Sequence, residues 1–137
     1  MIILDTNVLS EALRPVPSPD VVRWLSAQSG ELAITTLTQA EILYGIERMP
    51  AGKRRAAVKS EIEAVLSQFL GRILPFDERA AEQYAVIAAL RESMGRPISQ
   101  TDAMIAAIAR CHGASIATRD TAGFNHCGVG LINPWKR

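Results

Sequence analysis

Short apolar segments alternate with helical patterns along the chain, and this alternation limits the possible folds more than any other feature of the sequence. The apolar segments are too short for helices and are rich in isoleucine, leucine, alanine and threonine. Such segments separated by helices are typical of a parallel sheet covered on both faces. The sequence therefore predicts a three-layer α/β/α domain with a mostly parallel sheet of four to five short strands. The predicted strands are residues 1–4, 32–35, 72–76, 115–118 and, at one edge, 131–132.

Proline and glycine residues mark where the predicted helices end. Pro15 and Pro17 stop a short helix that follows Asp5, and Gly30 ends a second helix that starts near Pro19. The later helices carry apolar residues at three- and four-residue spacing and are again closed by proline or glycine. These predicted helices span residues 38–49, 53–70, 77–94 and 99–112.

Size and composition exclude several classes of protein. A length of 137 residues fits one domain covering residues 1–137, and 48% hydrophobic with 21% charged residues is not the composition of a disordered chain. No apolar run approaches the roughly 18 residues that a membrane span needs, so we expect a cytoplasmic protein without membrane contact. The net charge of +1 neither indicates nor excludes nucleic acid as a partner.

The two cysteines, Cys111 and Cys127, each adjoin a histidine. We expect reduced thiols rather than a disulfide, because no secretory signal precedes them. Structural zinc sites usually place paired ligands about two to four residues apart, a spacing that adjacent cysteine and histidine residues do not have. The sequence therefore does not predict a zinc site.

Four acidic residues fall where the predicted strands end or the following helices begin. Asp5 and Asp120 follow predicted strands, and Glu41 and Asp102 are placed in first helical turns. The carboxyl ends of parallel strands meet at one edge of a sheet, where ligands usually bind. We therefore expect these four carboxylates to converge, although they come from distant parts of the chain.

Each acid also has a purely structural interpretation. Glu41 and Asp102 lie three residues after Thr38 and Ser99, which matches a helix capping box or its aspartate variant. An acid in a first turn gains roughly 0.3 to 1 kcal/mol from the helix dipole, and an aspartate after a strand can simply shape a turn. Taken singly, none of the four acids indicates catalysis.

Taken together, the four acids predict a bound cation. Two unit charges about 4 Å apart repel by roughly 4 kcal/mol at an effective dielectric constant near 20. Lysine is scarce and offers no obvious internal ammonium to neutralise the group, since the chain contains only Lys53, Lys59 and Lys136. Oxygen ligands favour Mg²⁺ or Mn²⁺. The sequence therefore predicts a divalent metal site formed by carboxylates.

The chain resembles the PIN domains, and among them the VapC toxins of bacterial toxin-antitoxin pairs, close to their FitB-like branch. The resemblance covers nearly the whole chain and depends on the order and spacing of its motifs. These are the segments 2–10, 40–46, 101–106 and 117–120, with the ending 132–135. One departure is Gly123 before Phe124, where the family often has an aspartate before the phenylalanine.

The resemblance implies a function and a set of site residues. Asp5, Glu41 and Asp102 would take the three acidic metal positions, with Asp120 at a more variable fourth, and Thr6 and Thr118 would orient carboxylates or waters. The implied activity is hydrolysis of RNA by a water that Mg²⁺ or Mn²⁺ activates, leaving 5′-phosphate and 3′-hydroxyl ends. One or two ions could serve. The implied partners are a VapB-type antitoxin, a second copy in a homodimer, and operator DNA held mainly by the antitoxin in a larger assembly.

Other functions are open at this stage. The main alternative is a non-catalytic binding module whose acidic pocket holds a structural ion or a basic partner peptide. A receiver domain, a haloacid-dehalogenase-type phosphatase and a P-loop nucleotidase are disfavoured because their motifs are missing. Trp24 and Trp135 could stack on RNA bases or pack in the core, and the basic residues 53–55 with Lys59 could contact phosphate or solvent.

Overall fold

A five-stranded parallel sheet lies at the centre of the computed structural model, which describes residues 1–136. Its strands are β1 (Ile2–Leu4), β2 (Leu32–Thr35), β3 (Ile73–Leu74), β4 (Ser115–Ala117) and β5 (Leu131–Ile132). Their order in the sheet is β3-β2-β1-β4-β5, and each neighbouring pair is parallel. The central strand β1 therefore pairs with β2 on one side and with β4 on the other. Arg137, the last residue of the predicted domain, lies outside the described residues.

Helices cover both faces of the sheet, as the sequence predicted. They are α1 (Thr6–Ala12), α2 (Pro19–Ala27), α3 (Thr36–Glu47), α4 (Lys53–Ser67), α5 (Glu78–Ser93) and α6 (Gln100–Cys111), with a short 3₁₀ helix at Ala122–Phe124. No helix within residues 1–136 is long and apolar enough to span a membrane. Both cysteines are free thiols, as expected.

The core has two parts, one on each side of the sheet. Successive strand residues point in opposite directions, so Ile3 lies in one part and Leu4 in the other. On the first side α5 and α6 pack through Ile87, Ile105 and neighbouring alanines. On the second side, residues of α1 to α4 pack against the sheet. The predicted three-layer α/β/α architecture is thereby confirmed, with one core on each face of the sheet.

Several element boundaries differ from the sequence prediction, and two of these differences have a clear physical reason. The third strand was expected at residues 72–76, but only Ile73–Leu74 pair with β2, because Pro75 has no N–H to continue the ladder. Helix α3 was expected to begin at Thr38 but begins at Thr36, since the Thr35 side chain accepts a hydrogen bond from the Thr38 N–H at 3.3 Å. The prediction that Glu41 lies in a first helical turn was therefore wrong, and Thr38 does not cap the helix.

Candidate active site

An open cleft lies at the carboxyl edge of the central strand. Its volume is about 440 Å³. Helices α1, α3 and α6 each contribute side chains to it, because α1 starts directly after β1, α3 starts directly after β2, and α6 starts at the same edge of the sheet although it packs on the opposite face. The residues that line the cleft are Asp5, Thr6, Asn7, Ser10, Glu41, Ser99, Thr101 and Asp102.

Asp5 is the most buried acid of the cleft, with 7% of its surface exposed. It caps α1, and its Oδ1 accepts a hydrogen bond from the Thr6 N–H at 2.8 Å. Its Oδ2 accepts another from the Thr118 hydroxyl at 2.8 Å. Burial raises the pKa of Asp5 and the charges of Glu41 and Asp120 add to this, while the two hydrogen bonds lower it. The fold therefore fixes this carboxylate tightly in an environment that disfavours its negative charge.

Glu41 projects from the second turn of α3 and is held by a pair of threonines. The Thr6 hydroxyl donates to Glu41 Oε1 at 3.3 Å. The Thr6 hydroxyl has a single proton, which it donates to Glu41. The hydroxyl of the buried Thr38 therefore donates to Thr6 Oγ1, 2.9 Å away. Thr38 therefore holds the hydroxyl that in turn contacts Glu41.

Asp102 lies three residues after Ser99, the residue that caps α6. Its backbone N–H donates to Ser99 Oγ at 3.2 Å, as the capping pattern predicted. Burial raises the pKa of its carboxyl, and the charges of Asp5 and Asp120 raise it further, against lowering by Ser99 and Arg91. The charges of Asp5, Asp102 and Asp120 are thus close enough to influence one another.

Asp120 differs from the other three acids because it is exposed and does not line the cleft itself. The strand ends at Ala117 rather than at Thr118, so Asp120 lies in the loop after β4. Its N–H donates to Thr118 Oγ1 at 3.1 Å, and its Oδ1 accepts from the Gly123 N–H at 3.0 Å. A Cβ added to Gly123 would come within 2.4 Å of Asp120 Oδ2. Glycine at this position is therefore what allows Asp120 its present orientation.

The carboxylates of the cleft have no counter-cation in direct contact. Within residues 1–136, no lysine, arginine or histidine nitrogen lies within 4 Å of any of the four acids. In the same part of the chain, no group of three or more histidine, cysteine, aspartate or glutamate side chains is arranged so that it could hold a metal ion. Mg²⁺ typically uses only one or two protein carboxylates and completes its shell with water, so the oxygen-only donors still suit such an ion.

Comparison with known proteins identifies the family. The family model for the PIN domain matches residues 2–128. VapC ribonuclease Y4jK of Sinorhizobium fredii is 44% identical over 138 residues, which cover 99% of each chain. Toxin FitB of Neisseria gonorrhoeae is 42% identical over 137 residues, covering 98% of this chain and 99% of FitB. The crystal structure of FitAcB from Neisseria gonorrhoeae has a TM-score of 0.95 at 40% identity and covers 100% of both chains. The chain belongs to the VapC branch of the PIN-domain family.

This PIN domain also contains site residues that the sequence did not single out. Asn7 donates to Thr118 Oγ1 at 3.3 Å and accepts from the Arg119 N–H at 3.3 Å, so it connects α1 to the loop after β4. Arg91 is 6% exposed and donates to the carbonyl oxygens of Gly123 and Asn125 at 2.9 Å each. The sequence contains one indication that Arg91 is buried: it lies four positions after Ile87 of α5, and residues at this spacing share a helix face.

Replacing Thr118 by valine in this PIN domain is expected to lower the free energy of unfolding by about 2 kcal/mol. Valine has a similar shape but leaves Asp5 Oδ2 and the N–H of Asp120 without their hydrogen-bond partner. Urea denaturation measures the change. Thr118→Ser keeps the hydroxyl and is the matched control, expected to lose less than half as much. A Thr118→Val variant as stable as the wild type would show that these hydrogen bonds do not stabilise the fold.

Proposed function

We propose that this VapC-type toxin hydrolyses RNA with the help of Mg²⁺ or Mn²⁺ held by Asp5, Glu41 and Asp102, with Asp120 at the margin. The observation that supports this most is the cluster of mutually influencing carboxylates that, within residues 1–136, has no cation within 4 Å. Bound there, a divalent ion supplies a nucleophile from water near neutral pH and offsets the charge that develops on the phosphate. It would also relieve the repulsion between the acids.

The chain's own residues serve to position the carboxylates. Thr118 and the Thr6 N–H fix both oxygens of Asp5, and the Thr6 hydroxyl restrains Glu41. Asp102 is held at the start of α6 by its bond to Ser99. Outer residues that orient metal ligands typically change metal affinity about 10- to 100-fold when they are removed. We assign Thr6 and Thr118 to this role, with Thr38 supporting Thr6.

The test is cleavage of a panel of RNAs by the purified protein, with and without excess EDTA, followed by addition of Mg²⁺ or Mn²⁺. We expect turnover that EDTA abolishes and either ion restores, with 5′-phosphate ends on the products. Turnover that survives chelation would contradict metal dependence. An absence of turnover on every RNA, combined with tight binding of a basic peptide, would favour the non-catalytic binding module.

We also propose a VapB- or FitA-type antitoxin as the partner, since the similar solved structures include FitAB bound to a DNA fragment and a member of the VapBC family of toxin-antitoxin systems. An apolar groove of about 390 Å³ between α1, α3 and α4 adjoins Thr6 and Glu41 and can accept an apolar segment of such a partner. Its apolar lining comprises Leu13, Ile42, Ile46, Met49, Val58 and Ile62. A cytoplasmic homodimer that contacts operator DNA only through the antitoxin completes the proposal.

Replacing Gly123 by alanine is expected to reduce metal-dependent RNA cleavage about tenfold while leaving the melting temperature nearly unchanged. The new methyl group would displace the exposed Asp120 carboxylate, a movable side chain, rather than the backbone. Cleavage rates and thermal melting of the same preparations provide the measurement. Gly30→Ala is the matched control, because a Cβ there meets nothing within 4 Å. Full activity in Gly123→Ala would remove Asp120 from the site.

A further inference from the structure

A cationic surface adjoins the acidic cleft on the far side of Asn7. It borders an open cavity of about 370 Å³. Two arginines from distant parts of the chain meet there, Arg14 from the end of α1 and Arg119 from the loop after β4, together with the indole of Trp135. We call Arg14, Arg119 and Trp135 the arginine surface. The other residues that line the cavity are Glu11, Val16, Pro17, Ser18 and Pro19.

Arg119 is held in place at both ends although it is exposed. Its backbone N–H donates to Asn7 Oδ1 at 3.3 Å, and its guanidinium lies 5.0 Å from the centre of the Trp135 ring. Trp135 is itself half-buried against the core, and its backbone N–H donates to Asn133 Oδ1 at 2.9 Å. Stacking on an indole leaves the N–H groups at the edge of a guanidinium free to donate to another ligand.

The acid nearest to this surface pairs with only one of its two arginines. Glu11 is buried and accepts hydrogen bonds from Arg14 Nη1 at 3.2 Å and from the Ser18 N–H at 3.0 Å. Within residues 1–136, no carboxylate lies within 4 Å of Arg119. The surface therefore carries a net positive charge, and its guanidinium groups match an anion with several oxygens.

We propose that the arginine surface binds a phosphate of the RNA strand next to the bond that is cut. This inference rests on the proposed ribonuclease function and adds the path of the substrate. An RNA strand approaching the cleft is repelled by four carboxylates, so cations beside the cleft are needed to hold it. Arg119 directly precedes Asp120 in the loop after β4, so the arginine surface and the exposed fourth acid belong to the same short segment. Trp135 turns its ring toward Arg119 and serves to hold that side chain rather than to stack on a base.

Binding of a short fluorescein-labelled single-stranded RNA in EDTA, followed by anisotropy, tests the proposal without needing turnover. We expect Arg119→Gln to weaken binding about five- to tenfold and to reduce the slope of log Kd against log salt concentration by about 0.7, the loss of one phosphate contact. Arg119→Lys keeps the charge and is expected to keep most of that slope. Arg14→Gln is expected to have a smaller effect in the same direction, because Arg14 is shared with Glu11.

Arg79→Gln is the matched control. Arg79 is exposed and contacts the Cys111 carbonyl, at the opposite end of α6 from Asp102 and about 14 Å along the helix axis. Unchanged RNA affinity and salt dependence in Arg119→Gln would overturn the inference, even if the wild-type protein cuts RNA. If Arg119→Gln bound RNA more weakly but the wild-type protein cut no RNA, RNA binding by the arginine surface would be supported and the ribonuclease function contradicted. Weaker binding of an acidic peptide with unchanged RNA binding would assign the surface to a protein partner instead.

Discussion

Replacing Asp5 by asparagine is expected to lower the rate of RNA cleavage on the order of a thousandfold or more. The substitution removes the charge of the most buried carboxylate in the cleft. It also replaces one of two oxygens that already accept hydrogen bonds from Thr6 and Thr118, so the amide cannot satisfy both contacts as the carboxylate does. Calorimetric titration with Mn²⁺ is expected to show binding lost together with activity.

The matched control is Asp77→Asn. Asp77 also caps a helix, accepting from the Ala80 N–H at 2.9 Å, and asparagine caps a helix about as well as aspartate. This variant is expected to keep wild-type cleavage and Mn²⁺ binding. If Asp5→Asn retained both properties as well, Asp5 would not be a metal ligand, and the site would have to be placed elsewhere.

Replacing Arg91 by methionine is expected to lower the free energy of unfolding by about 3 to 5 kcal/mol. The guanidinium donates to three carbonyl oxygens, of Arg96, Gly123 and Asn125, at 2.7 to 2.9 Å. Methionine fills a similar space but leaves these carbonyls without their donor. The loop between β4 and β5, which carries Asp120, would lose its main anchor to α5.

Urea denaturation checks this prediction, with Arg79→Met on the same helix as control. Arg79 is exposed and donates to a single carbonyl, so its loss is expected to cost under about 1 kcal/mol. Arg91 also lowers the pKa of Asp102 by its charge, after larger opposing contributions from burial and from Asp5. A loss at Arg91 no greater than that at Arg79 would show that the loop is held by other contacts.

The sequence predicted those features that depend on neighbouring residues. The apolar run before Asp5 and the Ser99 cap before Asp102 both fix the backbone locally, so both acids were placed correctly. Glu41 was assigned to the wrong turn because two threonines compete to cap α3, and only the fold decides that Thr35 does so while Thr38 is buried. The ends of β3 were also misjudged, since an edge strand is only as long as its pairing with β2 allows.

The rest of the site depends on contacts between distant residues, which a local pattern cannot reveal. Arg91 reaches carbonyls 32 and 34 residues further along the chain, and Asn7 contacts Thr118 across 111 positions. The stack of Arg119 on Trp135 likewise depends on how the segment after β5 returns to the sheet. The sequence predicted that four acids converge, whereas three of them line the cleft and Asp120 lies at its exposed margin.

The pairing of β1 with β4 has a consequence for synthesis of the toxin. Asp5 leaves the ribosome before the hydroxyl that fixes its second oxygen, which lies 113 positions later in the chain. Closing so long a loop is slow compared with forming a helix. A nascent chain therefore contains Asp5 long before the Thr118 hydroxyl is available to position its carboxylate. The order of synthesis therefore delays nuclease activity until β4 and the loop after it have left the ribosome and paired with β1.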